Sequence, residues 1–231
     1  MHVKGWVRSS LLDYPGRIAA SLFCGGCNFR CPNCHNADLV LRPDDLPDIR
    51  EPEIWAFMRK RQGLLDGVVL SGGEPTLQLD LLPFATRLHV MGFEVKLDTN
   101  GYRPGVLQAM IEAGVVDYVA MDVKAPPPKY ALAAGIEIDI RRIQCSIDLL
   151  RAGQVAYEFR TTVVPGLLGE EDIVQIGQWI AGAQQYYLQQ YSPRGTLDPE
   201  MSELAPCSPD RIQEMADLSR QWVDRVGVRG I

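Results

Sequence analysis

At 231 residues with 46% apolar side chains, the chain can bury one large core or two small ones. Its 23 basic and 29 acidic residues give a formal charge of −6 with no basic block or stripe, which argues against a sequence-independent grip on nucleic-acid backbone. No stretch approaches the roughly 18 apolar residues of a membrane span, and the N-terminus has no charged head leading into an apolar run. A cytoplasmic protein with neither a nucleic-acid nor a membrane partner is therefore expected.

The opening MHVKGWVRSSLLDYPG ends in Asp13, Tyr14, Pro15 and Gly16, which by themselves read as a turn with a buried tyrosine. Six apolar runs rich in β-branched or aromatic residues follow as candidate strands: RIAASLF from Arg17, GVVLSG from Gly67, FEVKLDTNG from Phe93, VDYVAMDVK from Val116, VAYEFRTTVVPG from Val155 and QYYLQQYSPRG from Gln185. Helical spacing lies between most of them, as in Ile54, Phe57 and Met58, in Leu81, Phe84, Ala85 and Leu88, or in Ile143, Ile147 and Leu150. APPPKYALAAG, residues 125–135, is expected to be a surface loop. Ser208 as cap and Pro209 in the first turn begin a last helix, expected over 208–226.

Strand and helix alternating six times reads as a parallel sheet, either doubly wound or curled into a barrel. Periodicity does not choose between them, but position does. The cysteine cluster, GGEPT, DTNG, DVKAP and PG all follow strand C-terminal ends, which form the active-site face of a βα barrel. A full eight-stranded barrel takes about 250 residues. The expectation is a partial (βα)6 barrel of TIM type, one domain over 1–231 with its core at 17–192 and an open side.

Four of the six cysteines fall in CGGCNFRCPNCHN, residues 24–36. Cytosolic thiols stay reduced, so such clustering favours metal or redox chemistry over disulfides. Cys27, Cys31 and Cys34, spaced Cys-x3-Cys-x2-Cys, can hold a [4Fe–4S] cluster with one iron left open for chemistry. Adding Cys24 gives a four-thiolate zinc site, and the cluster alone weighs the two comparably. Structural zinc normally staples domains short of core, and this chain is not short of one.

Cys-x3-Cys-x2-Cys after one strand and SGGEPT after the next resemble the radical S-adenosylmethionine (SAM) superfamily. Cys34-His35-Asn36, DTNG, DVK and RTTVVPG resemble its glycyl-radical-enzyme activating enzymes, and SSLLDYPGRIAASLF the group acting on anaerobic ribonucleoside-triphosphate reductase. The similarity runs from about residue 4 to about residue 190. It implies a [4Fe–4S] cluster on Cys27, Cys31 and Cys34, with Cys24 a buried apolar residue. It further implies SAM as cofactor, a glycyl-radical enzyme as partner, and a flavodoxin or ferredoxin as electron donor.

The same resemblance assigns the remaining residues. Gly72 and Gly73 let backbone approach SAM, with Glu74 near its ammonium or holding the loop. Asp98, Asn100, Asp122 and Lys124 bind SAM, Asp98 and Asp122 being candidates for a monovalent cation beside its carboxylate. Arg160 faces SAM and the peptide, and Asp13 to Gly16 border the groove for the glycine loop. His35 is a hydrogen bonder behind the cluster, and Gln190 or Ser192 stands where some activases carry a SAM-binding histidine. Two rivals remain: a small-molecule radical SAM enzyme such as 7-carboxy-7-deazaguanine synthase, and a noncatalytic Fe–S or zinc protein.

Overall fold

The computed structural model describes all 231 residues. Eight strands form one sheet in sequence order: β1 Val3–Ser10, β2 Ala19–Cys24, β3 Gly67–Gly72, β4 Glu94–Thr99, β5 Tyr118–Asp122, β6 Ala156–Val163, β7 Gln185–Gln190 and β8 Arg225–Arg229. β1 runs antiparallel to β2, and every later pair is parallel. The edges β1 and β8 do not pair, so the barrel stays open on one side. The principal helices are α1 Ala37–Leu41, α2 Glu51–Arg61, α3 Leu81–Val90, α4 Pro104–Glu112, α5 Tyr130–Ala134, α6 Ile140–Arg151, α7 Glu170–Trp179 and α8 Pro209–Ser219.

Side chains alternate across the strands, and here the alternation separates two interiors. The outer face carries Leu22, Leu70, Leu97, Val119, Phe159 and Leu188, all buried under helix residues such as Ile54, Phe84, Ile147 and Ile173. Each such side chain contributes about 1.5–3 kcal/mol on burial. The inner face is polar: Ser21, Lys96, Asp98, Asp122, Glu158 and Arg160 point into the barrel, one residue out of step with the apolar set. Glu158 is fully buried there, held by both terminal nitrogens of Arg229 at 2.6 Å and by the Tyr118 hydroxyl at 2.8 Å.

The six expected strands are β2 to β7, and two more extend the sheet. β1 has a single fully buried residue, Val3, so no apolar run announces it. The last helix stops at Ser219 instead of reaching 226: a turn through Trp222 follows, and Val226 then packs in β8. Residues 125–135 are not a surface loop. Ala125, Tyr130, Ala133 and Ala134 are buried, and the turn ends on Gly135 at φ +67°, where a Cβ would lie 2.1 Å from the Arg30 carbonyl oxygen. The small residues of this stretch serve close packing beneath the cysteine loop.

Asp13 to Gly16 lie at the pole opposite their expected place. Ser10 pairs with Ala19 at the start of β2, whereas the cysteine loop leaves its end at Cys24. Tyr14 packs with Ala19, Val69, Tyr118 and Ala120, and its hydroxyl donates to Glu94 at 3.3 Å. It closes the barrel floor and borders no groove at the active-site face.

Candidate active site

At the strand C-terminal ends lies a cavity of about 350 Å³ whose wall includes Cys27, Cys31, Cys34, Gly72, Gly73, Glu74, Asp98, Asn100, Asp122, Lys124 and Arg160. Every residue that the sequence singled out as catalytic or cofactor-binding is thus brought to one place. Cys24 is fully buried and not on the wall. Burial pushes the Cys27 thiol up to about 12 and raises Cys31 as well. Iron must therefore displace protons from them on binding.

Two loops build the metal side. Gly73 N–H donates to Cys24 O and Glu74 N–H to Gly26 O, both at 2.8 Å. A Cβ on Gly73 would sit 2.0 Å from Gly26 O, and one on Gly72, at φ +114°, 2.3 Å from Cys24 N. These glycines thus let the SGGEPT backbone dock on the cysteine loop, and the Gly72 carbonyl accepts from Asn36 Nδ2 at 2.9 Å. Glu74 is buried, accepting from Thr76 N–H and hydroxyl, Thr99 hydroxyl and Asn100 N–H at 2.6 to 3.1 Å. Burial raises its carboxyl against these four bonds, which favour the ionised form. Glu74 holds the loop.

Across the cavity runs a chain of alternating charge. Lys96 pairs with Asp98, Asp98 with Arg160 Nη1 at 3.4 Å, Arg160 Nε with Asp122 at 2.9 Å, and Asp122 with Lys124 at 2.8 Å. On the cavity wall Asp98 and Asp122 are balanced by Arg160 and Lys124, while Lys96 is buried off the wall. Burial opposes ionisation of Asp122, but Arg160 and Lys124 outweigh it and hold the carboxyl down at about 2; Asp98 is lowered in the same way by Arg160 and Lys96. Arg160 bridges the two carboxylates where a monovalent cation was expected. Ser71 hydroxyl also donates to Asp98 at 3.2 Å.

His35 lies exposed at the rim. Gln190 is on the wall and Ser192 is not. Gln190 Nε2 donates to Cys207 O at 2.6 Å, which leaves its Oε1 buried and without a partner. Lys96 was given no role by the sequence reading, and Asn36 and Ser71 entered it only as members of the motifs CHN and SGGEPT. Lys96 carried a signal of its own, two residues before Asp98 and so on the same strand face. The site fits a [4Fe–4S] cluster and SAM in its donor set: three thiols, two cations held by carboxylates, and the Gln190 acceptor left without a partner.

Open barrel, polar lumen and three thiols at the strand ends define an enzyme that combines an iron–sulfur cluster with a small polar cofactor. Residues 21–180 match the family described as the radical SAM superfamily, and the chain belongs to it. Over 237 aligned residues it is 35% identical to a candidate glycyl-radical enzyme activating enzyme of Methanocaldococcus jannaschii, covering 99% of this chain and 96% of that one. It is 25% identical to the pyruvate formate-lyase-activating enzyme of Streptococcus mutans, over 90% of this chain and 86% of that one. A domain of pyruvate-formate lyase-activating enzyme from Bacteroides vulgatus shares the fold at TM-score 0.58 and 16% identity, covering 71% of this chain and 99% of that one. No helix is long and apolar enough to cross a membrane.

Proposed function

We propose that this radical SAM enzyme is an activase, taking a hydrogen atom from a glycine of an anaerobic ribonucleoside-triphosphate reductase. A flavodoxin or ferredoxin would supply its electron. The carrying observation is that three thiols and the ion chain of Asp98, Arg160, Asp122 and Lys124 meet on one cavity, in a chain matched almost end to end by a candidate activating enzyme. Cys27, Cys31 and Cys34 would hold a [4Fe–4S] cluster, which with SAM supplies the one-electron cleavage of a carbon–sulfur bond.

The chain's own residues bind and orient. Lys124 and Arg160 offer positive charge to the SAM carboxylate, while Asp122 and Asp98 keep both cations in place. Glu74 and the paired glycines fix the loop carrying the Gly73 carbonyl, an acceptor for the methionyl ammonium. Gln190 Oε1 accepts from a hydroxyl or amino group of the nucleoside. The unpaired gap between β1 and β8 gives a polypeptide segment lateral access, which a small-molecule enzyme does not need.

The test is anaerobic incubation of reconstituted protein with SAM, dithionite and an anaerobic ribonucleoside-triphosphate reductase from the same organism. A glycyl EPR signal on the reductase is expected, with 5′-deoxyadenosine labelled from a Cα-deuterated partner glycine. SAM turnover that labels from a metabolite, with no signal on any glycyl-radical partner, would replace the activase by a small-molecule enzyme.

A further inference from the structure

The cysteine loop also has an outer side. The Phe29 amide donates to Cys27 Sγ at 3.3 Å, and its buried ring meets Tyr102 edge-on with centroids 5.5 Å apart. Tyr102 is half-buried, and the Arg142 guanidinium lies 5.1 Å over its ring. A second route joins the same points: Tyr102 N–H donates to Asn100 Oδ1 at 3.0 Å, and Asn100 Nδ2 stands 4.0 Å from Cys27 Sγ. Tyr102 thus connects the surface to a cluster thiol through packed and hydrogen-bonded atoms.

The charge around Tyr102 reverses that of the molecule. Arg30, Arg103, Arg141 and Arg142 are all exposed, against the carboxylates of Glu137 and Asp139. Asp139 is taken by Arg141 at 2.8 Å, and its amide donates to the Tyr102 hydroxyl at 3.2 Å. Arg30 folds onto the carbonyls of Cys27 and Phe29, and Arg142 onto the tyrosine ring, so neither charge is neutralised by a carboxylate. Leu132 is 65% exposed on α5, the helix whose Ala134 carbonyl accepts from the Arg30 amide. In a chain of 23 basic and 29 acidic residues, this surplus of cations sits over the one loop that an electron must reach.

We propose that the face formed by Arg30, Tyr102, Arg103 and Arg142 docks an acidic protein carrying one low-potential electron. The electron enters past Tyr102 and Phe29 to the centre held by Cys27, Cys31 and Cys34. The carrier is oxidised by one electron, the centre is reduced by one, and no bond forms or breaks. Basic charge steers and orients the carrier, while the packed Tyr102–Phe29 pair removes the solvent gap. The inference rests on the radical SAM reading of the cysteine loop.

The test uses reconstituted holoenzyme, wild type against an Arg103→Glu/Arg142→Glu double variant, with flavodoxin as the probe. Arg103 caps α4 and Arg142 lies in the first turn of α6, where acidic residues suit the helix dipole and folding is not endangered. At low salt the variant should bind oxidised flavodoxin more weakly and be reduced by the photoreduced form about tenfold more slowly, with a shallower salt dependence. Iron content and dithionite-driven SAM cleavage should match wild type. Unchanged flavodoxin binding and reduction would overturn the proposal, and so would an equal loss with dithionite, which would mark the face as serving the site or the reductase. Wild-type holoenzyme inert to dithionite would instead sink the underlying radical SAM reading.

Discussion

Asp122 accepts from Arg160 through one oxygen and from Lys124 through the other, which ties its ionisation to folding. Its ordinary value of 3.8 is lowered to about 2, so its contribution to stability is complete above about pH 4 and is lost as pH falls through 2. Lys124 is raised from 10.5, so its contribution is complete below that value and fades only in stronger alkali. The pair therefore stays ionised throughout the neutral range. Asp122→Asn should lower stability at pH 7 and flatten the acid limb of a melting-temperature profile between about pH 4 and 2; an unchanged limb would show that Asp122 is not coupled to these cations. At the same scale, Ala at Cys27, Cys31 or Cys34 should abolish the reconstituted [4Fe–4S] spectrum, and Cys24→Ala should keep it, since Cys24 is off the cavity wall. Zinc in the purified protein, or cluster loss in Cys24→Ala, would reverse that assignment. These residues were legible because thiol spacing and strand-end acids announce chemistry. Asn36 and Ser71 stood inside quoted motifs, but their contacts were not legible, since an asparagine in a loop or a serine at a strand end has a bland reading until its partner is seen.

The contact between the cysteine loop and SGGEPT is an association of elements. Gly73→Ala would drive a Cβ into the Gly26 carbonyl, and neither backbone can yield without moving a cysteine. Overpacking of this kind costs about 1–3 kcal/mol, so the variant should melt lower and hold less iron per chain. Gly105→Ala is the control: nothing lies within 4 Å in the first turn of α4, and it should melt no lower than wild type. A Gly73→Ala protein with normal stability and iron would refute the docking account. The sequence reading took both glycines as clearance for a ligand, because a glycine pair shows only that something comes close. The same limit explains 125–135: three prolines suggested a surface loop, but the alanines and Gly135 beside them were room for Arg30. Parallel strands β2 to β7 were legible from their apolar runs, whereas the edge strands had too few buried residues to stand out.

At the scale of the whole molecule, the barrel must carry polar groups inside while staying open at one side. Its lumen holds Glu158 with no exposed surface, and the balancing charge is Arg229 on edge strand β8. Arg229 stacks on Tyr187 at 3.7 Å and reaches Glu158 with both terminal nitrogens, so the last strand is fastened from inside the barrel. Removing one partner of a buried pair costs about 3–5 kcal/mol, chiefly because the other charge is left alone in a poor solvent. Arg229 is one-third exposed, so the lower end applies, and Arg229→Ala should destabilise the protein by about 3 kcal/mol in urea unfolding at pH 7. Adding Glu158→Gln to that background removes the stranded charge and should restore part of the loss, with Tyr118 still hydrogen-bonded to the amide. Because the pair lies below the cavity and is not on its wall, iron loading should survive in both variants under native conditions. Additive losses in the double variant would show that Arg229 and Glu158 do not act as a unit, and that packing among the helices alone holds β8 to the sheet.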